Sequence, residues 1–231
     1  MKASVIIPVY NEAGTVAAVV EKVRTVPVDK EIIVVNDGSS DGTREALRPF
    51  EGSPDVRVHH SPINLGKGAS VRIGFTLVRG DLVIIQDADL ELDPGQYPEL
   101  MGPIERDEAD VVFGSRFLGG RSGSPAGRAG GASYLGNRGL TALTNLLFGG
   151  KLTDMETCYK VFRASILPTL KLRALRFEIE PELAASFLLG GWRIVEVPVA
   201  YQPRSAQEGK KIRWTDGVDA VKTLVRLRLG R

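Results

Sequence analysis

The chain has 231 residues, 43% hydrophobic and 25% charged, a balance that excludes disordered, collagen-like and low-complexity architectures. Its formal net charge of +2 gives no reason to expect a nucleic-acid partner. One cysteine, Cys158, excludes a disulfide framework and a cysteine-based zinc site, and fits a reducing compartment.

No apolar run approaches the ~20 residues that span a bilayer, and Met1-Lys2-Ala3-Ser4 leads directly into a strand-like run. The expectation is a cytoplasmic protein, at most peripheral at the cytoplasmic face of a membrane.

In chain order, short β-branched runs at 4–9, 31–35, 56–60, 82–86 and 111–113 read as strands buried on both faces. Segments at 15–26, 43–50, 69–78 and 96–105 have helical spacing, with Val16, Val19, Val20 and Val23 on one face of the first. Strand and helix alternate, which predicts an α/β fold with a mostly parallel sheet and right-handed crossovers. The stretch 114–131 is rich in glycine and reads as a loop. Helices follow at 134–148 and 180–189, then a strand at 192–199, a polar loop to about Trp214 and a helix at 215–229. In that last helix Val218, Val221, Leu224 and Val225 share one side. No linker is visible, so a single domain over 1–231 is expected.

Charge is unevenly distributed. Residues 201–231 hold eight basic and three acidic side chains, a local +5, leaving residues 1–200 at −3. Between Asp110 and Asp154 there is no acidic residue, while Arg116, Arg121, Arg128, Arg138 and Lys151 fall in that interval. Arginine grips phosphate oxygens bidentately, and an acid-free surround keeps the local field positive.

Ligands of parallel α/β sheets bind beyond the carboxyl ends of the strands, and each strand end here offers chemistry. The first ends in Pro8-Val9-Tyr10-Asn11-Glu12. The second ends in Asn36-Asp37-Gly38-Ser39-Ser40-Asp41-Gly42-Thr43, where Asp41 or Thr43 can cap a helix and Asp37 can accept from a base or ribose. The third leads to Asn64-Leu65-Gly66-Lys67-Gly68, amides and a lysine suited to a phosphate at a helix N-terminus, without Walker A spacing. The fourth ends in Asp87-Ala88-Asp89-Leu90-Glu91. Three alternating carboxylates repel one another unless relieved, and a hard cation such as Mg²⁺ or Mn²⁺ relieves them. His59 and His60 lack a partner at metal-ligand spacing and read as structural, while Cys158, Phe187 and Trp192 read as packed.

The order of these motifs, continued by Gly114-Ser115-Arg116, by Asp154-Met155-Glu156-Thr157-Cys158-Tyr159-Lys160 and by Glu208-Gly209-Lys210-Lys211-Ile212, resembles the family 2 inverting glycosyltransferases. The resemblance runs over nearly the whole chain and is closest to the dolichol-phosphate mannose synthase-like branch. It implies a Rossmann-like fold of the GT-A type and a nucleotide diphosphate sugar donor, GDP-mannose or UDP-glucose. It implies a nucleotide-sugar and metal half (1–113) and an acceptor-binding and closing half (114–231). Asp37 would contact the nucleoside in a pocket lined by Pro8, Tyr10 and Glu12, with Lys67 near the donor. Asp87 and Asp89 would hold the metal, joined by Glu91 where related synthases often carry glutamine. Arg116 with Arg128, Asn137 and Arg138 would hold the acceptor phosphate, while Arg204 and Lys211 would close over the diphosphate. Asp89, Arg116 and Arg204 carry the catalytic roles in this scheme.

A sugar hydroxyl needs a carboxylate base, whereas a phosphate monoester with a second pKa of about 6 is already largely dianionic at neutral pH. The acid-free segment and the absence of the Glu-Asp base motif favour a polyprenyl or dolichyl phosphate. Two alternatives stay open: a hydroxyl acceptor with Asp154 or Glu156 as base, and a nucleotide-binding module without catalysis. The basic last helix, with Lys222, Arg226 and Arg228, offers either a peripheral membrane contact or a docked terminal helix, and a membrane-protein partner is a further route to the lipid.

Overall fold

The computed structural model describes residues 1–118, 132–203 and 214–230. Seven strands form one sheet: β1 (Ala3–Val9), β2 (Lys30–Asn36), β3 (Val56–His60), β4 (Leu82–Ile85), β5 (Val111–Ser115), β6 (Lys160–Arg163) and β7 (Ile194–Pro198). Their spatial order is β3-β2-β1-β4-β6-β5-β7. The pairs β1/β2, β1/β4, β2/β3 and β5/β7 are parallel, while β6 runs antiparallel to both β4 and β5. The mostly parallel sheet read from the sequence is therefore present, with one strand that the sequence reading missed. β6 is four residues long, and its first residue is a fully buried lysine. A run so short and so charged carries no period that could reveal it.

The helices are α1 (Val16–Thr25), α2 (Thr43–Leu47), α3 (Lys67–Thr76), α4 (Tyr97–Glu105), α5 (Ala132–Phe148), α6 (Ile179–Leu189) and α7 (Trp214–Arg228). Pro49 lies in a short 3₁₀ turn, Arg48–Phe50, which replaces the end of the longer helix expected at 43–50. Another such turn, over Ala164–Thr169, was not foreseen. In α1, Val16, Val19, Val20 and Val23 are buried, as their spacing requires.

Every residue of β1 is buried, so it forms the spine of the core between layers of helix. α3 lies so close to β1 that a Cβ on Gly74 would come within 2.4 Å of the Ile6 side chain. His60 bonds Asn36 and Glu51, each at 3.0 Å, a structural role in line with its reading. Phe187 is buried, and Trp192 packs partly buried against the same core.

α7 departs from its expected pattern. Leu224 is fully buried with Ala220 and Thr223, and Arg226 reaches buried Glu182 at 3.0 Å. Val218, Val221, Val225 and Leu229 instead stand exposed. Small residues let one side of the helix dock, while the larger aliphatic side chains expected beside Leu224 lie outside that contact. No helix of the described residues is long and apolar enough to cross a membrane.

Candidate active site

The first three strand ends are stitched together by backbone donors and small polar side chains. Asn11, at φ 49°, donates its N–H to Ser39 Oγ and accepts the Ser40 N–H at Oδ1, both at 2.9 Å. Glu12 N–H donates to Thr43 Oγ1 at 2.9 Å, and Ala13 N–H to Asp41 Oδ2 at 3.1 Å. Asp41 also accepts the Thr43 N–H at 3.1 Å, from one residue before the N-cap position, which Gly42 holds in place of the Asp41 or Thr43 cap expected from sequence. Pro8 is buried within β1, and Tyr10 is exposed just beyond it.

Asp37 is buried, and its two carboxylate oxygens accept the N–H groups of Leu65 (2.9 Å) and Gly66 (2.7 Å). This anchors the loop that presents Lys67. Gly66 has φ 101°, and a Cβ there would meet the Leu175 carbonyl at 2.3 Å, so glycine is required twice over.

Lys67 opens α3 and spans two acids, with Nζ at 2.8 Å from Asp87 Oδ1 and 2.9 Å from Glu180 Oε1. Burial alone would lower the pKa of its ammonium, but the charges around it, Asp87 first, outweigh that and hold it well above its ordinary value. Glu180 also pairs with the buried Lys160 of β6, which in turn donates to the carbonyls of Met155 and Thr157. Burial pushes Glu180 toward its neutral form, yet Lys160 and Lys67 together keep its pKa below the usual value. The sequence placed Lys67 near a donor phosphate; in the structure it joins the end of β4 to the first turn of α6. Lys160 and Glu180 were not singled out from sequence. A lysine at the head of the four-residue run Lys160–Arg163 and two glutamates flanking Pro181 were the available signals.

Asp87, Asp89 and Glu91 are half-buried beyond β4. Asp89 Oδ1 accepts the Glu91 N–H at 3.0 Å, while Glu91 Oε2 accepts the Tyr201 hydroxyl at 2.9 Å. Among the described residues no group of three or more His, Cys, Asp or Glu is arranged to hold a metal. The three-carboxylate cluster expected from sequence is thus not gathered. The donor set still fits a hard cation: Asp87 and Asp89 supply carboxylate oxygens, and Mg²⁺ takes one or two carboxylates plus substrate phosphate and water. Cys158 is buried with its thiol 3.7 Å from the Ile85 carbonyl, and burial pushes its pKa well up. It is packed, as expected, and is no nucleophile.

Arg116 follows β5. Its N–H and Nε donate to Asp154 Oδ2 at 3.0 and 2.7 Å, and Nη2 donates to Oδ1 at 2.8 Å. Asp154 is fully buried. The Arg116 guanidinium lies 5.2 Å from the ring centre of Tyr201 and 5.6 Å from that of Phe117. Tyr201, which the sequence reading missed, therefore touches both the acidic motif and this arginine. Phe117 meets Tyr134 edge to face at 5.4 Å, which seats the start of α5 beside the Arg116 turn. Asn137 and Arg138 are in that part of α5; Asn137 Oδ1 accepts from Thr141 Oγ1 at 3.4 Å, and Arg138 is exposed. Arg128, Arg204 and Lys211 lie outside the described residues, as do Arg121 and most of the glycine-rich stretch.

Between these groups sits Glu156. Its backbone is pinned on both sides, by Asp154 on Arg116 and by Thr157 Oγ1 donating to the Gly114 carbonyl at 2.6 Å. Its Oε1 is shielded from solvent and has no hydrogen-bond partner among the described residues. Burial, reinforced by the charge of Glu180, raises its pKa to about 7 against the pull of Lys160 and Arg116.

The model of the family described as glycosyl transferase family 2 matches residues 4–170, the segment that carries β1 to β6 and both the acidic and the Arg116–Asp154 motifs. The chain belongs to glycosyl transferase family 2. Within it, an undecaprenyl-phosphate mannosyltransferase of Micrococcus luteus is 31% identical over 221 residues, covering 91% of this chain and 87% of the relative. Glycosyltransferase AglD of Haloferax volcanii is 29% identical over 88% of this chain, which spans only 34% of that relative's length. Glucosyl-3-phosphoglycerate synthase from Mycobacterium tuberculosis, solved with Mn²⁺, UDP and glucosyl-3-phosphoglycerate, superposes with a TM-score of 0.71. The match covers 99% of this chain and 80% of that one at 22% identity. That likeness is one of fold, and the family 2 domain here has the GT-A architecture.

Proposed function

We propose that the chain transfers a hexose, mannose or glucose, from GDP-mannose or UDP-glucose to a polyprenyl or dolichyl phosphate with inversion at the anomeric carbon. The observation that carries this reading is Arg116, held rigidly by Asp154 at the end of β5, in a segment without acids and beside the acidic motif at the end of β4. A rigid guanidinium suits a phosphate that must be oriented but not deprotonated. The name of the Micrococcus relative, an undecaprenyl-phosphate mannosyltransferase, points the same way.

In this reading the chain acts as one domain, its first 113 residues binding donor and metal and the remainder binding acceptor. Asp37 shapes the nucleoside pocket with Pro8, Tyr10 and Glu12. Asp87 and Asp89, with Glu91 nearby, hold Mg²⁺ or Mn²⁺, which when bound neutralises charge on the departing nucleoside diphosphate. Lys67 fixes Asp87 for that task. Arg116, aided by Arg128, Asn137 and Arg138, orients the acceptor phosphate, and Arg204 and Lys211 meet the diphosphate. Exposed Val218, Val221, Val225 and Leu229, with Lys222 and Arg228 nearby in α7, suit peripheral contact with anionic lipid at the cytoplasmic face.

The alternative with a hydroxyl acceptor loses one of its two candidate bases, because both oxygens of Asp154 are engaged by Arg116. The test is transfer from GDP-mannose or UDP-glucose, with Mg²⁺ or Mn²⁺, to farnesyl phosphate against transfer to simple sugars. Formation of the prenyl-phosphate sugar is expected; transfer only to hydroxyls would reverse the acceptor assignment.

A further inference from the structure

Glu156 is held firmly by its neighbours, yet one of its carboxyl oxygens meets no hydrogen-bonding group among the described residues. The carbonyls on either side of it, of Met155 and Thr157, both accept from the buried Lys160 ammonium, and Asp154 and Thr157 bind across to the end of β5. A backbone held this firmly leaves the side chain little choice of place. Yet its buried Oε1 has no partner among the described residues. Buried polar atoms without partners are rare in native proteins, and where they persist a ligand is a physical reason to look for.

The surrounding charges say what kind of ligand. Arg116 and Asp154 face Glu156 from the end of β5 and its own segment, and Lys160 and Glu180 face it from β6 and α6. Glu156 thus lies between the arginine assigned to the acceptor and the Glu180–Lys67–Asp87 chain that leads to the donor side. Resting on that assignment of the acceptor, we propose that Glu156 is a specificity-determining residue that, as the neutral acid, donates a hydrogen bond to a non-transferring oxygen of the acceptor phosphate. An ionised Glu156 beside Arg116 repels a dianionic phosphate and accepts from a hydroxyl, so its proton distinguishes the two acceptor classes. The carboxyl is already half protonated near pH 7, and a second anion next to it favours the neutral form further. The proton stays on Glu156 during transfer: the phosphate oxygen bonds the anomeric carbon, and the bond from that carbon to the nucleoside diphosphate breaks.

The test measures kcat/KM for farnesyl phosphate, at saturating donor and Mg²⁺, from pH 6.5 to 8.5. The wild-type protein should lose about fifteenfold between pH 7 and 8.5, the loss of one proton from a group near 7. Glu156→Gln keeps a donor but cannot ionise; it should be several-fold weaker at pH 6.5 and flat to pH 8.5. Parallel profiles in the two proteins, or a variant inactive at every pH, would overturn the proposal. Should Glu156→Gln not fold, calorimetry of farnesyl phosphate binding to the wild-type protein at pH 8 decides, run in two buffers of different ionisation enthalpy. Uptake approaching one proton per phosphate supports the proposal, since the free phosphate is by then dianionic; no uptake, or release, contradicts it. Wild-type protein that glycosylates sugars but never farnesyl phosphate overturns the acceptor assignment itself, a result distinct from parallel pH profiles.

Discussion

The strand ends of β1, β2 and β3 and those of β4, β5 and β6 are built on different principles. On the first side, loops hold each other through backbone N–H groups, serine, threonine and asparagine, and Asp37 is satisfied by two amides from a single loop. On the second side, charges are buried and paired over long stretches of chain: Lys67 with Asp87 and Glu180, Lys160 with Glu180, Arg116 with Asp154. A cup whose donors are neutral amides and hydroxyls, and whose carboxylates are already met by backbone N–H groups, can recognise a nucleoside without a buried ion pair. Fixed ions on the other side can steady a reaction that moves negative charge, since preorganised groups need no rearrangement as charge develops.

The contrast can be broken by substitution, and the largest effect should come from the acidic motif. Asp89→Ala should lower transfer by about a thousandfold or more, in keeping with the several kcal/mol a bound cation contributes, while leaving the melting temperature nearly unchanged. Activity that survives this change, or that needs no divalent metal, would remove the motif from the mechanism.

Next comes the ionic scaffold. Glu180→Gln and Asp154→Asn each leave a buried cation without its counter-charge, so each should destabilise the fold by about 3–5 kcal/mol in denaturant titrations. Asp41→Asn, in the neutral-donor region, should cost no more than about 1 kcal/mol, the scale of a cap. Equal losses in the two regions would erase the distinction drawn between them.

Glu156 gives an effect of opposite sign. Its folded pKa of about 7 lies above the ordinary carboxyl value of 4.5. The unfolded chain therefore gains stability from ionisation as pH rises through that window, and the folded protein does not follow until about 7. Glu156→Gln should thus be more stable than wild type above pH 7, by at most about 3 kcal/mol. Below pH 4 the difference should vanish.

The smallest effect belongs to Asp110, paired with Arg193 at the far end of β5. The hydrogen bonds from Arg193 draw its pKa down to about 2. Its contribution is present above the unfolded value near 3.8 and is lost as pH falls toward 2. With Arg193 half exposed, solvent screening limits it to about 1 kcal/mol, measurable as the difference in urea midpoint between wild type and Asp110→Asn at pH 6 and at pH 2.5.

These two regions also differ in how well they could be read from sequence. β1, β2 and β4 announce themselves because a strand buried on both faces must be an unbroken apolar run, and the loops after them carry their chemistry within a few residues. Asp87 and Asp89 were placed at a strand end for that reason. β6 and the Lys67–Glu180–Lys160 chain were hidden, since their partners are separated by up to 113 residues and no local pattern links them. Tyr201 was hidden for the same cause: it is an ordinary tyrosine until Glu91 and Arg116 arrive on either side. Asp37 was correctly seen as a strand-end carboxylate, but its engagement with the Leu65 and Gly66 amides required the fold.

The central claim is that a fixed arginine takes a phosphate as acceptor, and one measurement bears on it most directly: the chemical identity and anomeric configuration of the product formed from GDP-mannose or UDP-glucose, Mg²⁺ and farnesyl phosphate. The account predicts a prenyl-phosphate hexose with the anomeric centre inverted relative to the donor, and loss of that product in Arg116→Ala. A product bearing the sugar on a hydroxyl, or undiminished use of farnesyl phosphate by Arg116→Ala, would contradict it.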